Sequence, residues 1–230
     1  MKIIRSLRKS ISLQLDTQWV LIVKAPIFVT DRKIQLFIAS HHDWIEKQKW
    51  NILKHIKQYV SWEEFYFLWH KYPLKIIETT SIENKKQARL RTRPLEFTGT
   101  EFVLVAGEEK NAKHHFEKFY KSEMKQYMQA ILPGLAEKYK LKYNKLSVTS
   151  AKTRWGSCSS KKNINFTFRL IMAPKLSIDY VIIHELSHLV HMNHSFDFWN
   201  HVDRMFYDVY NQDYNIHQNW LKKEGSTLIF

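Results

Sequence analysis

Cysteine occurs once in this chain, at Cys158, so no intramolecular disulfide framework is possible and a reducing compartment suits the protein. Long apolar runs are missing too. The segment from Met1 to Val29 is interrupted by Lys2, Arg5, Arg8, Lys9, Asp16 and Lys24, which leaves no uninterrupted core for a secretory leader. Nowhere do roughly 18 apolar residues follow one another, as a membrane span needs. Neither a repeat of about 20–50 residues nor a low-complexity stretch is visible. Together these absences exclude disulfide scaffolds, membrane spans and repeat arrays, and the expectation is a soluble, cytoplasmic protein. Acidic residues are also in short supply: 22 Asp and Glu face 36 Lys and Arg, a formal charge of +14.

Hydrophobic residues make up 44% of the 230 positions and aromatics 14%, enough for a packed core and unlike a disordered chain. The positive charge is uneven. Residues 126–178 hold ten Lys and Arg against one acid, whereas residues 179–230 hold three against seven. A basic surface attracts polyanions, so a nucleic acid or an acidic partner is one reading of it; a solvated surface is the other.

The first 26 residues read as a strand pair. Ile11, Leu13 and Leu15 alternate with polar residues, Asp16-Thr17-Gln18 offers a turn, and Trp19 to Val23 is the return strand, ended by Pro26. Thr30 or Asp31 can cap a helix running to about Gln58. Strand character returns in Leu74–Ile77, Ala88–Arg91 and Phe102–Val105. Residues 109–140 read as a long amphipathic helix with a possible interruption at Pro133-Gly134. Lys145–Ser150 and Ile164–Ile171 read as strands, with a loop from Thr153 to Ser160 between them. Helices follow over Ile178–Met192, with Ser177 as its N-cap and Asp179 near its start, and over Phe196–Tyr210. The fold class is therefore α+β: a sheet-rich region over 1–105 and a region over 106–230 that holds the chemistry.

That chemistry centres on His184-Glu185-Leu186-Ser187-His188, an H-E-x-x-H motif in a segment that is helical by its own pattern. Residues four apart share a helix face, so two imidazoles can converge on one ion. A catalytic zinc takes three protein ligands and keeps one position open. Glu185 would stand beside the ion without binding it, free to take a proton from the attacking water and pass it to the leaving amine.

His191 and His194 compete to be the third ligand. On a straight helix His191 lies about 10.5 Å along the axis from His184, too far to share one ion. Asn193 suits the left-handed conformation that stops a helix, and Ser195 can cap the next one. A break at Met192–Asn193 would turn His194 toward the metal, so His194 is the expected ligand. The His184, His188, His194 spacing equals that of the metzincins. Their glycine is His191 here, however, and Met205, the one later methionine, falls inside a helix instead of in a Met-turn.

A longer series fits better: Thr153-Arg154-Trp155-Gly156-Ser157-Cys158-Ser159-Ser160, then Asn163-Ile164, Arg169-Leu170, Pro174, Asp179-Tyr180-Val181, His184-Glu185-Leu186, Asn193-His194-Ser195 and Phe198-Trp199. In these residues the chain resembles the YgjP-type metal-dependent hydrolases, relatives of the SprT and WLM metallopeptidases. Arg8–Leu13 and Lys24–Pro26 resemble that group's first strands. The resemblance implies a zincin-like catalytic half, zinc as the cofactor held by His184, His188 and His194, and Glu185 as acid/base. The chain departs from the pattern in having Lys162 where glycine is usual, the turn being expected to fall on Asn163, and Thr167 where asparagine is common.

The function expected is zinc-dependent hydrolysis of peptide bonds, with a peptide or protein as substrate. Arg154, Asn163 and Asn165 are candidate substrate contacts, and a substrate strand is expected to join the sheet at about Asn163–Phe168. Trp155 and Cys158 read as core plugs, Gly156 as a tight turn, and Cys158 as a remote candidate for a fourth, site-closing ligand. Tyr207 and Tyr214 are candidate oxyanion stabilisers. Two alternatives stay open: a nucleic-acid-associated protease of the SprT kind, and a nucleic-acid-binding module with structural zinc.

Overall fold

The structure, a computed structural model, describes residues 1–15, 20–55, 57–78 and 93–228, with the backbone alone for 51–55. The expected turn at Asp16–Gln18 and strand at Ala88–Arg91 lie outside these residues. Contacts divide the chain into two compact units, Met1–Ile56 and Lys57–Phe230.

In the first unit, β1 (Lys2–Ser6) runs parallel to β3 (Leu21–Pro26), and β2 (Ser12–Leu15) pairs antiparallel on its other edge. Val23 and Ala25 of β3 and Ile34 of the following helix form its buried centre. The single helix expected to Gln58 is two, α1 (Asp31–Ser40) and α2 (His42–His55). Thr30 caps α1 by accepting from the Lys33 N–H, as expected. The break falls at His41 because side chains take over the last carbonyls there: Ser40 Oγ donates to Phe37 O, and His41 Nδ1 lies 2.9 Å from the same oxygen.

The second unit begins with a four-stranded sheet in the order β4 (Glu64–Phe67), β5 (His70–Ile77), β7 (Phe102–Val105), β6 (Leu95–Phe97), in which β5 and β7 are parallel. Helix α3 (Ala112–Lys138) lays a stripe at four-residue spacing, Phe116, Tyr120, Met124, Met128 and Leu132, into the core. Pro133 does not interrupt it. Pro133 and Gln129, the residue whose carbonyl a proline four positions on cannot bond, are both exposed, so water can replace the lost hydrogen bond. Phe65, Leu74 and Phe102 of the sheet share one hydrophobic cluster with Phe116, Phe166, Ile182 and Phe206. Strands 64–105 thus belong to the same unit as the C-terminal helices, and a boundary after residue 105 would cut through that core.

A second, three-stranded sheet follows, in the order β8 (Lys145–Thr149), β10 (Asn163–Thr167), β9 (Gly156–Cys158). Part of the expected Thr153–Ser160 loop is therefore the strand β9. The strand expected to reach Ile171 ends at Thr167, where the chain tightens into a 3-10 turn over Phe168–Met172. That turn buries Phe168, Leu170, Ile171 and Met172 together, which an alternating strand cannot do. Helices α4 (Lys175–Ser187), α5 (Phe196–Tyr210) and α6 (Tyr214–Glu224) complete the unit. The chain is α+β throughout, and among the described residues no helix is long and apolar enough to cross a membrane.

Candidate metal centre

Helix α4 carries His184 and Glu185 and ends where the site needs it to. It starts three residues before the expected position, on Pro174, and stops five residues before Met192, with His188 as its C-cap. Ser177 is not a cap: it is buried in the first turn, its Oγ 3.4 Å from His217 Nδ1. Asp179 is no solvent-facing dipole partner either. It is buried, accepts from the Tyr127 hydroxyl at 2.9 Å, and has its carboxyl pushed up by burial. Tight turns then carry the chain away, Leu189 N–H to Leu186 O and His191 N–H to Ser187 O. Asn193 does not take the left-handed conformation expected of it. Ser195 caps α5 by accepting from the Phe198 N–H, as expected.

The result is a cluster of three imidazoles. His184, His188 and His194 offer ring nitrogens that all lie within 4.8 Å of one another. His194 Nε2 is 3.1 Å from His184 Nε2, and His188 Nδ1 lies 3.0 Å from the His191 carbonyl, which leaves its Nε2 free. His191 therefore enters through its backbone, while its ring sits against His201 at 5.6 Å between centroids. Burial drives the His184 pKa down to about 3, with the His188 and His194 rings adding to the effect. Burial also lowers that of His188. Imidazole nitrogens that converge in this way, with burial holding His184 and His188 uncharged, are what a metal ion requires. The donor set fits a divalent transition metal. Cys158 does not belong to the cluster; its thiol is raised by burial and by Glu185 nearby.

Glu185 stands next to the cluster without joining it. It is 4% exposed, its Oε2 has no hydrogen-bond partner, and burial raises its pKa to about 8 against the pull of Arg154. Facing it is Gly156 on β9, where a Cβ would come within 2.5 Å of Glu185 Oε1 and 2.7 Å of Cγ. The glycine serves close approach, not the tight turn expected.

β10 is paired on both sides, so the expected strand addition at Asn163–Phe168 has no edge to use. The outer strands are β8 and β9, and β9 is the one that meets Glu185. Thr167 N–H bonds to Trp155 O and Ser159 N–H to Asn163 O, with Ser157 opposite Asn165, so Gly156 and Cys158 point their backbone groups outward. Arg154 and Asn165 line one small cavity beside β9, together with Ser157 and Thr167. Asn163 lies elsewhere, its side-chain oxygen accepting from Asn144 and its N–H bonded to Ser159 Oγ. Thr167 does have a polar role, donating to Ala151 O at 2.8 Å. Trp155 packs against the core as expected.

Of the two candidate tyrosines, Tyr207 is 59% exposed, and Tyr214 is sandwiched between Tyr180 and Trp199. Sequence reasoning missed Tyr180, Trp199 and Gln218, which also face this region. Tyr180 was discoverable, since it lies four residues before His184 on the same helix face.

A family profile described as "YgjP-like, metallopeptidase domain" matches residues 9–224. Neither the curated proteins nor the solved structures gave a match.

Proposed function

The chain belongs to the YgjP-like metallopeptidase family, which makes it a metal-dependent peptidase, and on that premise we propose that its cofactor is zinc and that Glu185 is the general base. One observation carries the reading: a buried carboxyl group lies against an outer strand of a sheet and next to three converging imidazoles, yet stands outside their cluster.

His184, His188 and His194 would hold the metal, and an all-nitrogen triad with room for a further ligand suits catalytic zinc. When bound, a divalent cation supplies Lewis acidity toward the scissile carbonyl and lowers the pKa of water. The protein's own residues do the rest. A peptide extended along β9 would pair with the outward backbone groups of Gly156 and Cys158. Glu185 Oε1 or Oε2 takes the proton of the attacking water and delivers it to the departing amine. Arg154 and Asn165 are the proposed substrate contacts on the adjoining cavity. Hydrolysis of casein or a peptide library by the zinc-loaded protein, its loss on chelation and its return with zinc test the proposal. Hydrolysis that survives complete chelation would sink it.

A second reading concerns a partner. From Lys138 to Ile178 the chain has ten Lys and Arg and no acid, and Lys142, Lys145, Lys152, Arg154, Lys161 and Lys162 make no ion pair among the described residues. This supports nucleic-acid contact through the β8–β10–β9 region. Binding that falls steeply with salt, as counterion release demands, is the expected result; salt-independent binding or none at low salt refutes it.

A further inference from the structure

A cavity of about 300 Å³ opens beside His184 and Glu185 and is walled by Trp155, Tyr180, Trp199, Gln218, Leu221 and Lys222. Several separate parts of the chain build it. Tyr180 comes from α4, one turn before His184, and Trp199 comes from α5. Gln218, Leu221 and Lys222 form one face of α6, and Trp155 leads into β9. Its size is at the low end for a ligand pocket, where one side chain and not a whole cofactor would fit.

The walls are held in place. Trp199 stacks on Tyr214 at 10° and Tyr214 on Tyr180 at 11°, each pair 5.8 Å between centroids, while His194 stacks on Trp199 at 28°. A row of four rings therefore runs from the third candidate ligand to the pocket wall. Trp155 is pinned on one side by Gly225, where a Cβ would come 2.5 Å from its ring, and the Arg169 guanidinium lies 5.5 Å from its ring centroid.

The polar end of the cavity is made of donors. Lys222 Nζ donates to Gln218 Oε1 at 2.6 Å, and Gln218 Nε2 donates to the Tyr180 oxygen at 2.9 Å. The amide oxygen is thereby used, the Tyr180 hydrogen is left to donate, and Lys222 makes no ion pair among the described residues. Glu185 is the one carboxylate in the lining. A cationic side chain would meet the like charge of Lys222, and its one anionic partner in the lining, Glu185, is the group the proposed reaction uses; a flat apolar one would meet two indoles, a phenol ring and Leu221.

We propose that this cavity receives one large uncharged side chain of the substrate, aromatic by preference, and that Lys222 turns cationic side chains away; the inference rests on the peptidase reading above. A peptide lying along β9 passes Gly156, which borders the same cavity, so the residue entering it flanks the bond presented to Glu185.

The test reads binding as well as turnover. Zinc-loaded protein with Glu185 intact is titrated with N-acetylphenylalaninamide and, separately, N-acetyllysinamide, following the indole NMR signals of Trp155 and Trp199. The phenylalanine probe is expected to shift both signals and the lysine probe neither. Lys222→Glu, a change at an exposed position, should then admit the lysine probe. In parallel, active protein cleaving a peptide library should favour aromatic over lysyl residues at one position by at least ~10-fold in kcat/KM. Lys222→Glu should shrink that ratio. Indole signals blind to the phenylalanine probe, or equal response to both probes, overturn the pocket. Cleavage without any such preference also removes the pocket and leaves the peptidase standing. Probe binding with no peptide cleaved removes the peptidase reading and leaves the pocket.

Discussion

Gly156 and Glu185 are fitted to one another: the nearest carboxylate oxygen lies 2.5 Å from where a Cβ at position 156 would be, and the Glu185 Cγ and Cδ lie within 2.8 Å of it. A methyl group there must displace the middle of the glutamate side chain, not a flexible tip. Gly156→Ala is therefore expected to lower kcat/KM by roughly 100-fold through misplacement of the base. Stability should fall by about 1–3 kcal/mol, as overpacking usually costs. Metal content should stay at the wild-type level. Peptidase assays, urea melts and elemental analysis read the three effects, and unchanged activity would remove Glu185 from the reaction.

Glu185→Gln keeps the side chain's shape and removes only its proton chemistry. Because Glu185 stands outside the cluster of His184, His188 and His194, the variant is expected to bind zinc like the wild type. Hydrolysis should drop by about 100- to 10,000-fold, the usual worth of a positioned base. A variant that purified without metal would make Glu185 a ligand instead.

The parts of this site that were legible in sequence are those set by near neighbours. His184 and His188 share a helix face by arithmetic, and Ser195 caps α5 with an oxygen only three residues from the N–H it accepts from. What sequence could not supply comes from distant partners. α4 ends at His188 in turns that Asn193 does not direct. The narrow gap at Gly156 exists only because a helix 29 positions along the chain presses Glu185 against it. The edge strand was misassigned for the same reason: β10 looks like an edge until β8 and β9 both pair with it.

Lys162 shows how a departure from the family pattern is accommodated. It sits at φ 58° in the β9–β10 turn, its N–H bonded to Ser159 O and its carbonyl accepting from Asn144 N–H. The left-handed conformation thus falls on the lysine itself, not on Asn163, and costs a residue with a Cβ about 1–2 kcal/mol. Glycine removes that strain but adds freedom to the unfolded chain. Lys162→Gly is expected to stabilise the protein by about 0.5–1 kcal/mol in urea melts. A loss of stability would show that the lysine side chain contributes more than its backbone strain costs.

We propose His194, not His191, as the third ligand. His194 Nε2 faces His184 Nε2 at 3.1 Å, and its ring is stacked on Trp199, so the imidazole is both aimed and backed. His191 contributes its carbonyl to His188 Nδ1, and that oxygen survives any change of side chain. His194→Ala should therefore weaken zinc affinity by at least about tenfold, since it leaves two of the three nitrogens an open catalytic site needs. His191→Ala should leave affinity nearly unchanged. Competition with a chromogenic chelator measures both, and the melting temperatures of the zinc-loaded variants separate metal loss from general destabilisation. The reverse ranking would mean that the ring of His191, not His194, completes the site, and the stack from His194 to Tyr180 would then have no part in holding a ligand.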